Sequence, residues 1–202
     1  TMTGHYLDYK SKYDPMSIFL SSKIDVVPYQ IYDFQKLVQE QRTKGNIRSL
    51  IAYETGLGKT ILVGMIINEL VTQRPQDTLQ RPHRILIITP PTVLPQFKAE
   101  MANKFGLHFQ QFDTKNPEYP NQLIASMDSI KLEPWITNFD QQSWDMIIID
   151  EYHRISPNTL RGKLIEKLTR KTKHLIALTA TPHDGKTERF EYRMDLIAPK
   201  PL

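Results

Sequence analysis

Residues 49–60 read Ser-Leu-Ile-Ala-Tyr-Glu-Thr-Gly-Leu-Gly-Lys-Thr. An apolar run ends at Tyr53. Glycines follow at 56 and 58, then Lys59 and Thr60, then an apolar stretch from Ile61 to Val71. Strand, glycine loop and helix in this order let a backbone curl its N–H groups around phosphate oxygens, and the start of the helix adds partial positive charge. Lys59 is placed to reach β- and γ-phosphates, and the Thr60 hydroxyl to reach magnesium. The candidate nucleotide-binding residues are Thr55, Gly56, Leu57, Gly58, Lys59, Thr60 and Ile61. A chance glycine turn is the competing explanation, and such a match in a chain this long has odds of roughly one in a hundred. The loop departs from the strict pattern at its entry, where Tyr53 stands in place of glycine. Tyr53 is expected either to pack against a nucleotide or to fill the core.

Upstream of the loop, Pro28 precedes a helical pattern over Tyr29–Gln41, with Ile31, Phe34, Leu37 and Val38 on one face. Downstream, Ile85–Thr89 reads as a buried strand and Val93–Lys104 as a helix. Leu107–Phe112, Gln122–Ser126 and Met146–Asp150 read as strands. Thr159–Leu168 is a helix, Leu175–Thr179 a strand and Glu188–Leu196 a helix. Strands alternating with helices imply an α/β domain with a parallel sheet covered on both faces, and the continuous apolar strands agree. Ligands bind such sheets at the carboxyl ends of the strands. Residues 1–27 show no clear period and are expected to form an extension, leaving 28–202 as a single lobe.

Met146–Ile149 delivers Asp150-Glu151-Tyr152-His153 at such a strand end. Asp150 would hold magnesium through water, and Glu151 would position or deprotonate an attacking water. An isolated Asp-Glu after a strand is more often a solvated turn. Downstream of a phosphate loop in an alternating chain, the chemical reading is favoured.

Bulk composition sets limits. The chain has 202 residues, 40% apolar and 24% charged, which suits one globular domain with a sizeable core. No stretch reaches the roughly 18 apolar residues of a membrane span. Thr1 to Asp8 lack the basic patch and apolar run of a secretory signal. With no cysteine, disulfides and thiolate metal sites are excluded. A net charge of +4 is weak evidence for nucleic acid, because placement matters more than the total. The run Arg161, Lys163, Lys167, Arg170, Lys171, Lys173 reads first as the solvated face of a helix. His183 and Asp184 lack an evident third partner for a metal.

The residues also carry a family resemblance. Asp150-Glu-Tyr-His153 is a DExH box, and Leu178-Thr179-Ala-Thr181-Pro182 resembles motif III of superfamily 2 helicases. Asp150 to Ile155 is similar to the Asp-Glu-x-His-Arg-Ile/Leu run of Swi/Snf-like ATPases. Glu54 to Thr60 also resembles that family, with Tyr53 where Asp is usual. Thr179 to Gly185 is closer to the RapA-like branch. The resemblance covers Val27 to Leu196 and implies a RecA-like P-loop NTPase lobe that takes ATP and Mg²⁺.

It implies further roles. Gln30 would read adenine, the alternative being an exposed glutamine at a helix start. Thr89 to Phe97 resembles motif Ia, where Thr92 would contact nucleic-acid phosphate or cap the helix. Ile124 to Asp128 resembles motif Ib, with Ser126 a backbone contact or a cap. His153, Thr179 and Thr181 would couple nucleotide state to nucleic-acid grip. The implied activity is ATP hydrolysis driving movement on DNA, double-stranded by the Swi/Snf likeness, in a prokaryotic, nucleoid-associated cytoplasmic setting. The implied partners are nucleic acid and a second RecA-like lobe with arginine fingers. No Gln-x-x-Gly-Arg-x-x-Arg run occurs in these residues, so the chain alone is expected to turn over weakly. A motor-derived regulatory module without turnover is the alternative, against which Lys59, Thr60, Asp150 and Glu151 stand intact. A small-molecule kinase or GTPase would need a lid or an Asn-Lys-x-Asp run, and the sequence has neither.

Overall fold

The structure is a computed structural model that describes residues 26–72, 83–183 and 185–199. Most of the expected extension over 1–27 lies outside them. Strands β1 (Arg48–Ala52), β2 (Ile85–Thr89), β3 (Gln110–Gln111), β4 (Gln122–Ser126), β5 (Met146–Ile149) and β6 (His174–Thr179) make one sheet. Its order is β1-β6-β5-β2-β4-β3. Every pairing is parallel. β2, β5 and β6 are buried at every position, which is why they read as unbroken apolar runs.

Among the described residues the helices are α1 (Pro28–Lys44), α2 (Lys59–Thr72), α3 (Leu94–Phe105), α4 (Met127–Ile130), α5 (Trp135–Gln141), α6 (Leu160–Lys171) and α7 (Thr187–Ile197). Successive strand residues point to opposite faces, and the two cores divide accordingly. Ile85, Ile87, Ile148, Ile176 and Leu178 pack against α1, α2 and α3 through Phe34, Leu62, Ile66, Phe97 and Met101. Leu86, Ile88, Ile147, Ile149, Leu175 and Ala177 pack against the other four helices through Ile130, Phe139, Leu164, Leu168 and Ile197. The expected α/β lobe with helices on both faces is what forms.

Helix ends follow local chemistry. Pro28 opens α1, where its missing N–H costs nothing, and Gly45 closes it at φ 76° with its N–H on the Gln41 carbonyl. The Thr159 hydroxyl accepts from Gly162 N–H at 3.0 Å, so Thr159 caps α6 rather than beginning it. At α3 the cap position is held by Val93, without a side-chain bond. Thr92 therefore does not cap that helix.

Two stretches differ from the sequence reading. Of the strand expected over Leu107–Phe112, only Gln110 and Gln111 pair with β4. Leu107, Phe109 and Phe112 are nonetheless buried, and these residues form the sheet edge, where a strand finds a partner on one side only. Between β4 and β5, where the sequence reading assigns no element, the chain makes the short helices α4 and α5.

Register sets the strand tips along one edge. Ala52 faces Thr179, Ile149 faces Ala177 and Ile88, and Thr89 faces Ser126. β6 lies between β1, which leads into the glycine loop, and β5, which leads into the acidic pair.

Candidate active site

The loop from Tyr53 to Gly58 joins β1 to α2. Gly56 and Gly58 take φ of 86° and 78°, a region that side chains with Cβ rarely adopt. At Gly58 there is also no room: a Cβ there would lie 2.2 Å from Gln30 Nε2. The amides of Gly56, Gly58, Lys59 and Thr60 donate no backbone hydrogen bond among the described residues. Lys59 Nζ donates to the carbonyls of Tyr53 (2.8 Å) and Glu54 (3.2 Å).

α1 braces this loop. Gln30 is buried, not exposed, and its Nε2 donates to the carbonyls of Leu57 (3.1 Å) and Gly58 (3.5 Å). Its Oε1 accepts from Val27 N–H at 3.2 Å. The Tyr29 hydroxyl also donates to the Leu57 carbonyl, at 2.9 Å. Tyr53 meets Tyr29 edge to face, ring centroids 5.3 Å apart, and its hydroxyl donates to Asp33 at 2.5 Å. Burial first, and then the Asp33 carboxylate, push the Tyr53 phenol well above its ordinary pKa. Tyr53 thus packs on the core and ties the loop entry to α1.

The acidic tip lies two strands away. Asp150 follows β5, its N–H bonded to the Ile88 carbonyl at 2.8 Å. One carboxylate oxygen accepts from the Thr89 hydroxyl (3.0 Å) and the other from Glu151 N–H (2.9 Å). Burial raises the Asp150 pKa; the Thr89 bond and the Lys59 charge oppose the rise without cancelling it. Glu151 adopts left-handed backbone, φ 53°, unusual for a residue with a side chain. Its Oε2 lies 3.2 Å from His153 Nδ1, which is 3.1 Å from the Thr179 hydroxyl. That hydroxyl accepts from Thr181 N–H and donates to the Thr181 carbonyl, both at 3.1 Å. With the Thr179 proton so committed, His153 Nδ1 is the donor to Thr179, with the Glu151 carboxylate beside it.

Glycine loop and acidic tip converge. Thr55 to Ile61, Gln30, Asp150, Glu151 and Leu178 line one cavity of about 700 Å³. Amide donors, an ammonium, a hydroxyl and a buried carboxylate are the groups that a magnesium–nucleoside triphosphate needs, so the donor set fits that ligand. The other sequence candidates lie elsewhere along the same edge. Thr92 is exposed in the turn after β2. Ser126 is buried, and its hydroxyl accepts from Asp128 N–H at 3.2 Å, capping α4. His183 Nδ1 accepts from Gly185 N–H at 2.9 Å, and Asp184 lies outside the described residues. No group of three or more metal-ligating side chains occurs among the described residues. In the basic run, Arg161 pairs with Asp128, Arg170 with Glu166 and Lys171 with Asp140, while Lys163 and Lys167 are exposed.

Sequence reasoning missed two supports. Thr89 orients Asp150; a hydroxyl ending the strand beside the acidic one was the available signal. Arg193 of α7 donates to the His153 carbonyl at 2.6 Å, and the Tyr152 hydroxyl donates to the Arg193 carbonyl at 3.0 Å. Nothing local in the sequence announces that pair.

Comparison with known proteins agrees with this fold. The family described as "Type III restriction enzyme, res subunit" matches residues 23–184. The RNA polymerase-associated protein RapA of Vibrio cholerae is 30% identical over 214 aligned positions, covering 97% of this chain and 20% of RapA. RapA of Vibrio vulnificus is 31% identical, covering 94% and 20%. This chain therefore spans about a fifth of the curated relatives it matches. The solved structure of the Sulfolobus solfataricus SWI2/SNF2 ATPase core in complex with dsDNA superposes with a TM-score of 0.73 at 24% identity, over 88% of this chain and 36% of that one. The UvsW helicase of bacteriophage T4 gives a TM-score of 0.60 at 16% identity, over 84% and 57%. These likenesses show the RecA-like fold. Among the described residues no helix is long and apolar enough to cross a membrane.

Proposed function

The chain belongs to the type III restriction enzyme res-subunit family, as a Swi/Snf-like, RapA-like superfamily 2 N-terminal lobe, and from that premise we propose that it binds Mg²⁺–ATP and hydrolyses it as one half of a motor that moves on double-stranded DNA. The observation that carries the reading is the meeting of Lys59 with Asp150 and Glu151 in one cavity, across the intervening β6.

In this reading Lys59 leaves the Tyr53 and Glu54 carbonyls for the β- and γ-phosphates, and the free loop amides take the remaining oxygens. Thr60 and Asp150 hold magnesium, which supplies charge neutralisation at the phosphates when bound. Glu151 orients the attacking water and takes its proton. Gln30 offers its amide to the adenine edge, exchanging a bond to Val27 or Leu57 for one to the base. The link from Glu151 through His153 and Thr179 to Thr181 carries nucleotide state to the strand tips, where Thr92 and Ser126 face the DNA backbone. The dsDNA bound to the archaeal SWI2/SNF2 core and the polymerase association of RapA support a nucleic-acid partner in a bacterial cytoplasm. A second lobe supplies the arginine fingers.

Two substitutions test the reading in a protein carrying both lobes. Lys59→Ala lowers ATP affinity at least about tenfold, and Glu151→Gln keeps binding but slows hydrolysis by roughly 10²–10⁴. Wild-type turnover from the Glu151→Gln protein removes Glu151 from the mechanism.

A further inference from the structure

The cavity that receives the glycine loop has a further wall, on α3, whose residues carry no role in the nucleotide reading above. α3 turns Gln96, Glu100 and Lys104 toward the same space as Tyr29, Lys59 and Asp150. The three are spaced by four residues and form one stripe along the helix. Gln96 Nε2 donates to Glu100 Oε1 at 3.0 Å, and Lys104 Nζ donates to Glu100 Oε2 at 3.3 Å. The Glu100 side chain is 23% exposed. Bonded from both sides, its carboxylate keeps an acceptor lone pair on each oxygen.

The chemistry of the other walls decides what this one receives. Phosphates belong with Lys59 and the loop amides, and a carboxylate would repel them. The base belongs at the α1 rim, where Val27, Tyr29 and Leu57 expose apolar surface beside the Gln30 amide. A ribose carries two adjacent hydroxyl donors. A carboxylate with two acceptors and no donor matches that pair, as acidic residues do for ribose in dinucleotide sites. We propose that Glu100, held by Gln96 and Lys104, is the ribose-binding residue of this site, accepting hydrogen bonds from the 2′- and 3′-hydroxyls. The proposal rests on the nucleotide reading above.

The test compares ATP, 2′,3′-dideoxy-ATP and inorganic tripolyphosphate by equilibrium binding to the 202-residue chain and to Glu100→Gln. The wild-type chain binds ATP at least about tenfold more tightly than the dideoxy analogue, since the loss of even one of the two hydrogen bonds to a charged group has that effect. In Glu100→Gln that preference disappears, while tripolyphosphate binds both proteins equally. An unchanged ATP-to-dideoxy ratio in the variant overturns the proposal, and so does a parallel loss of tripolyphosphate, which would mean a disturbed loop. A wild-type chain that prefers neither sugar overturns it without any substitution. Failure of the nucleotide reading looks different: the wild-type chain then binds none of the three.

Discussion

His174 shows what a single residue contributes. It begins β6 almost wholly buried, and its Nδ1 accepts from Ile47 N–H at 3.1 Å. Burial, helped by the neighbouring Lys173 charge, lowers its pKa to about 4. An unfolded histidine titrates near 6.5. Between those values the unfolded chain takes up a proton that the folded chain refuses, so protonation favours unfolding. The contribution of neutral His174 is complete above about pH 6.5 and is lost as pH falls toward 4, by up to about 3 kcal/mol. His174→Asn, which keeps an acceptor for Ile47 N–H, should flatten the loss of stability seen by urea unfolding between pH 7 and 4.5. Equal pH slopes in the two proteins would clear His174 of this role. No sequence pattern announces such a residue, since an apolar run that starts with histidine looks the same whether the ring is exposed or buried. The glycines at 56 and 58 and the Asp150-Glu151 pair were legible because their chemistry is local, confined to a few adjacent positions.

Elements are held together by residues of the second kind, whose partners are distant in the chain. Arg48, at the start of β1, donates to the carbonyls of Thr169 and Thr172 at the end of α6 and of Leu196 and Ile197 at the end of α7. Helix C-termini leave carbonyls unsatisfied, and one planar guanidinium answers two helices at once. Arg48→Met should cost roughly 2–4 kcal/mol in a denaturant titration, because it leaves four part-buried carbonyls without their donor. Arg48→Lys should recover only part, since an ammonium cannot span the same fork. A loss below about 0.5 kcal/mol would show that water or a neighbour takes over. The strands were readable because burial on both faces writes itself as a continuous apolar run. β3 and the α4–α5 stretch were not, because an edge position and two short helices leave no period to detect.

At the scale of the whole molecule the cavity has one side built by this chain alone. Under the proposed function Glu151 and Lys59 would provide positioning and charge, and no arginine stands among the described cavity-lining residues. Arginine fingers contribute about 10³–10⁵ in rate where they have been compared. The 202 residues alone should therefore bind ATP yet hydrolyse it slowly, with turnover rising by at least about 10³ when a second lobe is joined and DNA is added. Brisk DNA-stimulated hydrolysis by this chain in phosphate-release assays would contradict that.

The strand order has a mechanical consequence. β6 is laced to β1 on one side and to β5 on the other, so the glycine loop and the acidic tip share no ladder of their own. A twist starting at either reaches its counterpart through two rows of rungs in series, with β6 as the torsion shaft between them. Under the proposed function, the stiffness of that shaft, together with the Glu151–His153–Thr179 link, would set how faithfully one end keeps time with the other.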